Sequence, residues 1–195
     1  MISTKIGGRF LICIALTLLA GLTMHGQNTD GMPRLGSTDS EAKGPHSFAD
    51  QAFVKSVMER DAGEEQLGHL AQQKAQSDDV KKLGQKTAEA RTSLDGQLKT
   101  IAQSLEVGAP KGPSKKDKQL IASLQALSGT QFDEEYLKAI DRAHKQDIKD
   151  IEIEINNTQD SGVRNAAQQI EGYLTQYLQV IEHVAQAHNV ALDAK

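Results

Sequence analysis

The sequence predicts an all-α protein: an up-down-up-down four-helix bundle with one short extra helix in the crossing between the second and third long helices. Three observations lead there. From Phe48 onward, apolar residues recur at three- and four-residue steps, the spacing that gathers them on one helical face. The same region is built largely from Ala, Gln, Lys, Glu and Leu, all strong helix formers. No stretch alternates polar and apolar residues over a useful length, so nothing calls for a strand.

The elements follow in order. Residues 1–26 open with Lys5 and Arg9, followed by an uncharged, mostly apolar run of 13 residues from Phe10 to Leu22. That run has the size of a signal-peptide core and is shorter than the ~20 residues of a membrane span. The expectation is an exported protein, cleaved near Gly26, with no stable transmembrane span after cleavage. Residues 27–47 are rich in Gly, Ser, Thr and Asp with two prolines, and read as a flexible tether.

The bundle domain spans 48–190, with a tail at 191–195. Its first helix, about Phe48 to Gln76, carries the stripe Phe53, Val57, Glu64, Leu67, Ala71 and Ala75. Ser77-Asp78-Asp79 supplies a break and a cap for the second. That helix carries Val80, Leu83, Thr87, Arg91, Leu94, Leu98, Ile101 and Leu105 on its stripe. The segment from Gly108 to Pro113 ends it, and a shorter helix, Lys115 to Leu127, puts Leu120, Leu124 and Leu127 on one side.

Ser128-Gly129-Thr130 resets the chain for Phe132, Tyr136, Ile140, His144, Ile148, Ile151 and Ile155. The turn cluster from Asn156 to Gly162 precedes Val163, Ala167, Ile170, Leu174, Tyr177, Ile181, Val184 and His188. Short first and last connections set consecutive long helices antiparallel.

Composition narrows the function. The chain has 195 residues, 22 Lys+Arg against 26 Asp+Glu, and one Cys. Losing Lys5 and Arg9 with the leader leaves 20 basic residues and a net charge of −6. An acidic chain is a poor nucleic-acid binder, and one cysteine, itself within the leader, excludes a disulfide framework or a multi-thiolate metal site. Phosphate loops, zinc-protease motifs and nucleophile elbows are all missing from the sequence. The expectation is a non-enzymatic protein of the periplasm or cell envelope, acting as a binding or stress-associated module with an unknown envelope partner.

Polar residues interrupt the apolar stripes once per long helix: Glu64, Arg91, His144 and Tyr177. Glu64 precedes the turn at Ser77 by 13 residues and Arg91 follows it by 14, so antiparallel helices hold them at nearly one height. His144 and Tyr177 lie at similar distances on either side of Gln159. These four residues form a candidate buried polar cluster. Arg91 can hold Glu64 in a charge-assisted hydrogen bond, with His144 and the Tyr177 hydroxyl satisfying what remains.

A metal centre is the alternative. Metal bundles of the ferritin type bury carboxylates from two helices and a Glu-x-x-His pair from each of the other two. Here the nearest element is one Asp141-x-x-His144, so a site of Glu64, His144 and Asp141 would take iron, manganese or zinc. Arg91 counts against it, because a fixed positive charge sits where a cation would go. The run Asp147, Asp150, Glu152 and Glu154 reads as a solvated acidic face, and Glu65 with His69 as a surface pair. Lys115-Lys116-Asp117-Lys118 is too short to recognise nucleic acid or lipid.

A family resemblance adds to this reading. Phe53-Val54-Lys55, the segment from Gly63 to Ala71, Val80 to Gln85, Leu124 to Gly129 and Phe132 to Leu137 together resemble the exported bacterial domain of unknown function 4142 over about residues 48–188. The resemblance implies a ferritin-like four-helix bundle, in a family often labelled outer-membrane proteins and without a settled activity. It also implies Asp-His pairs in the second and third helices and a further His in the fourth. Those positions fall on Ala90-Arg91, Ala143-His144 and Tyr177, so only Glu64 and His144 keep the family's residue types.

Overall fold

A computed structural model describes residues 47–193. The expected leader at 1–26, the expected tether up to residue 46 and the last two residues of the expected tail lie outside the described residues.

Five α-helices and no strand occur among the described residues: α1 (Phe48–Lys74), α2 (Asp78–Ser104), α3 (Lys115–Gln125), α4 (Gly129–Asn157) and α5 (Ser161–Ala187). The four long ones have 27 to 29 residues each, about 40 Å at 1.5 Å per residue. Matched lengths let apolar stripes meet along their whole extent. α1 packs along α2 and α4 along α5, while α1 also meets α4 and α2 meets α5. The α1–α2 and α2–α5 contacts are antiparallel: Gln51 reaches Leu105 while Arg91 reaches Glu64, and His188 reaches Asp79 while Tyr177 reaches Leu83.

Local chemistry sets the helix ends. The Ser47, Ser114 and Asp160 side chains accept backbone N–H groups at the starts of α1, α3 and α5, filling donors that have no intrahelical partner. Ser77 makes no such bond at the start of α2. Instead the Asp133 carboxylate of α4 accepts the backbone N–H groups of Gln76 and Ser77, both at 2.9 Å. That contact helps end α1 at Lys74, two residues before the limit the stripe predicts. α3 likewise stops at Gln125, and α4 starts at Gly129, where a φ of 63° suits glycine.

α1 and α2 approach closely at Gly68 and Gly84. A methyl group built on Gly68 would stand 2.5 Å from the Gly84 carbonyl oxygen. Gly96 and Gly172 face open space instead.

The apolar residues form two clusters. One gathers Leu67, Leu70, Val80, Leu83, Phe132, Tyr136, Ile140 and Ile181; the other gathers Val57, Leu94, Leu98, Ile151, Ile170 and Leu174. Ile121 and Leu124 of α3 join the first, with Leu120 and Leu127 only partly covered. Beyond α5, Val190 and Leu192 pack against that same cluster. The expected tail therefore begins as a docked strap, with the Lys145 ammonium donating to the Asp193 carbonyl at 2.7 Å.

Candidate functional site

Between the two apolar clusters lies a layer of charge. Arg91 of α2 is 2% exposed, and its helix delivers the guanidinium to the carboxylates of α1. Nε donates to Glu64 Oε2 at 2.9 Å and Nη1 to Asp61 Oδ1 at 2.9 Å, while Nη2 stands 2.6 Å from the same Glu64 oxygen. Asp61 and Glu64 share a face because they are three residues apart on one helix.

A second cation extends the layer. Arg60 Nη1 donates to Asp147 Oδ1 at 2.6 Å and to Asp150 Oδ2 at 2.7 Å, tying α1 to α4. Asp147 Oδ2 lies 3.8 Å from Arg91 Nη2, so it links the two guanidinium groups.

Carboxylates outnumber cations here, and burial raises the cost of each charge. Burial pushes Asp61 up to about 7, with Arg91 pulling the other way. The same burial, with the Glu64 charge beside it, pushes Asp147 up to about 6. Glu64 is likewise raised by burial, and Arg91 opposes the shift. For Arg91, burial works against the charge, but Glu64, Asp61 and Asp147 outweigh it and hold the guanidinium ionised.

His144 is 0% exposed and lies next to this layer, with Nδ1 3.7 Å from Glu64 Oε2. Nδ1 is also 3.0 Å from the Ile140 carbonyl, which can only accept, so Nδ1 carries the proton. Burial and then the Arg91 charge hold the imidazole down to about 3, leaving it neutral. Its Nε2 has no hydrogen-bond partner.

The Tyr177 ring stacks on His144 with centroids 5.6 Å apart. Its hydroxyl does not satisfy Glu64, contrary to expectation. It donates to the Leu83 carbonyl at 2.8 Å and stands 3.0 Å from Thr87 Oγ1. The Leu83 carbonyl on the α2 seam, which also accepts the Thr87 hydroxyl at 3.0 Å, takes the Tyr177 proton instead.

Of the four expected cluster residues, Glu64 and Arg91 pair directly. His144 borders the pair, and Tyr177 reaches the cluster only through its ring. Two partners were missed. Asp61 precedes Glu64 by one helical turn, and Asp147 follows His144 by one, spacings that already put them on the seam.

The acidic run of α4 also needs correction. Asp147 and Glu154 are 4% and 8% exposed, because the helix turns them toward α1, while Glu152 is the solvated member. Glu154 is pushed up to about 7 by burial and by the Asp50 carboxyl facing it. Glu65 and His69 remain on the surface, 3.9 Å apart.

The alternative metal set does not assemble. Asp141 is fully buried, but its Oδ2 is 2.9 Å from the Lys145 ammonium rather than joined to Glu64 and His144. Glu64 gives Oε2 to Arg91, and His144 uses Nδ1 on the backbone. Among the described residues no group of three or more His, Cys, Asp or Glu side chains is arranged to hold a metal ion. With a guanidinium among the carboxylates, the donor set does not fit a ferritin-type iron, manganese or zinc centre. Among the described residues, no helix is long and apolar enough to cross a membrane.

Solved structures share the fold at low identity. A DUF305 fragment from Deinococcus radiodurans matches with TM-score 0.66 at 15% identity, covering 74% of this chain and 99% of its own. A Streptomyces coelicolor DUF305 protein described as secreted gives 0.64 at 10%, covering 75% and 96%. A Bacillus halodurans protein described as a spore coat protein gives 0.63 at 13%, covering 79% and 96%. No curated protein matches the chain significantly. A family model matches residues 35–184, most of the sequence and all of the charged layer, and the chain belongs to that family, the domain of unknown function DUF4142.

Proposed function

We propose that this protein is an exported, non-enzymatic binding module of the periplasm or cell envelope, with a ferritin-like up-down-up-down bundle whose centre is held by a guanidinium in place of a metal. The observation that carries this reading is Arg91, enclosed at 2% exposure and bonded to both Asp61 and Glu64. A permanent cation at that point neutralises carboxylates that would otherwise be metal ligands. The apolar leader run from Phe10 to Leu22 supports export. A secreted description of one structural neighbour points the same way.

Elemental analysis of untagged protein purified from the envelope fraction tests the central claim. Iron, manganese and zinc should each stay well below one equivalent. One equivalent of any of them, lost on His144→Ala, would overturn it. Sequencing the N-terminus of the exported form should start near Gln27, and an intact Met1 would refute the cleaved leader.

A further inference from the structure

A cleft of about 480 Å³ opens beside the charged layer, walled by α1, α3 and α4. Its most buried charged residues are Glu64 and Asp147, each 4% exposed. Glu64 commits Oε2 to Arg91, and no hydrogen bond reaches its Oε1. Asp147 commits Oδ1 to Arg60, and its Oδ2 lies 3.8 Å from Arg91, beyond hydrogen-bond distance. Two carboxylate oxygens that accept no hydrogen bond thus remain beside the cleft, Glu64 Oε1 from α1 and Asp147 Oδ2 from α4, the second with only its longer ion-pair contact to Arg91. Leu67, Leu120 and Ala143 supply apolar lining above them.

Charge around the opening favours a cation. Glu59, Asp117 and Asp150 line it as well, so its five acids outnumber its three basic residues, Arg60, Lys116 and Arg142. Arg60 is held by Asp147 and Asp150, and Arg142 leans on Asp193 at 3.6 Å. A divalent metal would concentrate two charges close to Arg91. An alkyl diamine separates them along a hydrocarbon stem, one at the base and one at the rim, and the lining is apolar between those points.

We infer that this cleft binds an aliphatic amine cation, with an ammonium on Glu64 and Asp147 and its methylene stem against Leu67, Leu120 and Ala143. The inference deepens the binding-module reading and rests on it. The groups facing the base are Arg60, Asp61 and Glu64 from α1, Arg91 from α2, Lys116 and Asp117 from α3, and His144, Asp147 and Asp150 from α4. A bound ammonium favours the ionised form of the buried carboxyls. Binding therefore releases protons, and affinity strengthens as the pH rises from 6 to 8.

Titration calorimetry of the full chain with 1,4-diaminobutane at pH 7.5, in phosphate and in Tris at matched ionic strength, tests this. One saturable site is expected, with a buffer-dependent heat that reports proton release. Glu64→Gln should weaken it at least tenfold. Ala143→Leu, which fills the cleft at a half-buried position, should do the same with an unchanged melting curve, so a poorly folded Glu64 variant leaves the test intact.

Absence of a saturable heat, an equal response to magnesium chloride, or wild-type affinity in Ala143→Leu would each overturn the inference. Metal analysis of the same samples separates the two readings. Metal-free protein that ignores the diamine refutes the amine site alone, whereas stoichiometric metal refutes the guanidinium-centred reading whatever the diamine does.

Discussion

Replacing Arg91 with Leu removes the guanidinium that Asp61 and Glu64 share, while Asp147 keeps Arg60. Both orphaned carboxyls are at most 4% exposed, so water does not replace the lost donors. Breaking a buried ion pair from one side costs about 3–5 kcal/mol. Burial already pushes Asp61 up to about 7 with Arg91 present, so the variant relieves part of the strain by protonation. That places the loss near the lower bound, about 3 kcal/mol at pH 8. For a domain of this size such a loss lowers the melting temperature by roughly 6–12 °C.

The measurement is urea unfolding followed by circular dichroism at 222 nm, at pH 8 and again at pH 5.5. The loss should shrink at pH 5.5, where the carboxyls take up protons in both proteins. Replacing Asp61, Glu64 and Arg91 together by Leu should recover most of it, because apolar side chains carry no desolvation cost. A loss below 1 kcal/mol at pH 8, or one equal at both pH values, would refute the view that the guanidinium neutralises a dry layer.

Three further predictions concern the unaltered protein and its glycines. Asp61 and Glu154 are both pushed up to about 7, so the folded state holds more protons than the unfolded one between the free carboxyl range and pH 7. Their stabilising protonation is lost as pH rises through 7, whereas His144, held down to about 3, opposes this trend only below its free value near 6.5. The urea midpoint should therefore fall from pH 6.5 to pH 8, and a rising midpoint would contradict the direction of these shifts. Gly68→Ala should cost about 1–3 kcal/mol by driving a methyl into the Gly84 carbonyl. Gly172→Ala, with nothing within 4 Å, should stabilise by roughly 0.5–1 kcal/mol; thermal melts of the two variants check both signs.

Much of the architecture was legible in the chain because helices of this length repeat their apolar period many times. Val80, Leu83, Leu94 and Leu98 on α2 are all buried where the stripe puts them. Ends were less legible: α1 stops at Lys74 because of Asp133, a residue 59 positions further along that no local pattern connects to the turn. In the site, Glu64 and Arg91 could be paired by counting from the turn. Asp61 and Asp147 were passed over because a carboxylate is usually assigned to solvent, and only knowing that a guanidinium is enclosed makes a second and third acid necessary. The Tyr177 hydroxyl was misdirected for a related reason, since backbone acceptors such as the Leu83 carbonyl are invisible to side-chain patterns.

The charged layer at mid-height also governs sliding. Two helices lined with leucine above and below could shift by one turn, about 5.4 Å, and still meet apolar surface. Such a slip would carry Arg91 past its acids and strand it beside hydrocarbon, and would pull Gly84 away from the notch opposite Gly68. Oily contacts alone would leave this hairpin several near-equivalent alignments. One ionic rung and one glycine notch, fixed at different heights, leave it a single vertical setting.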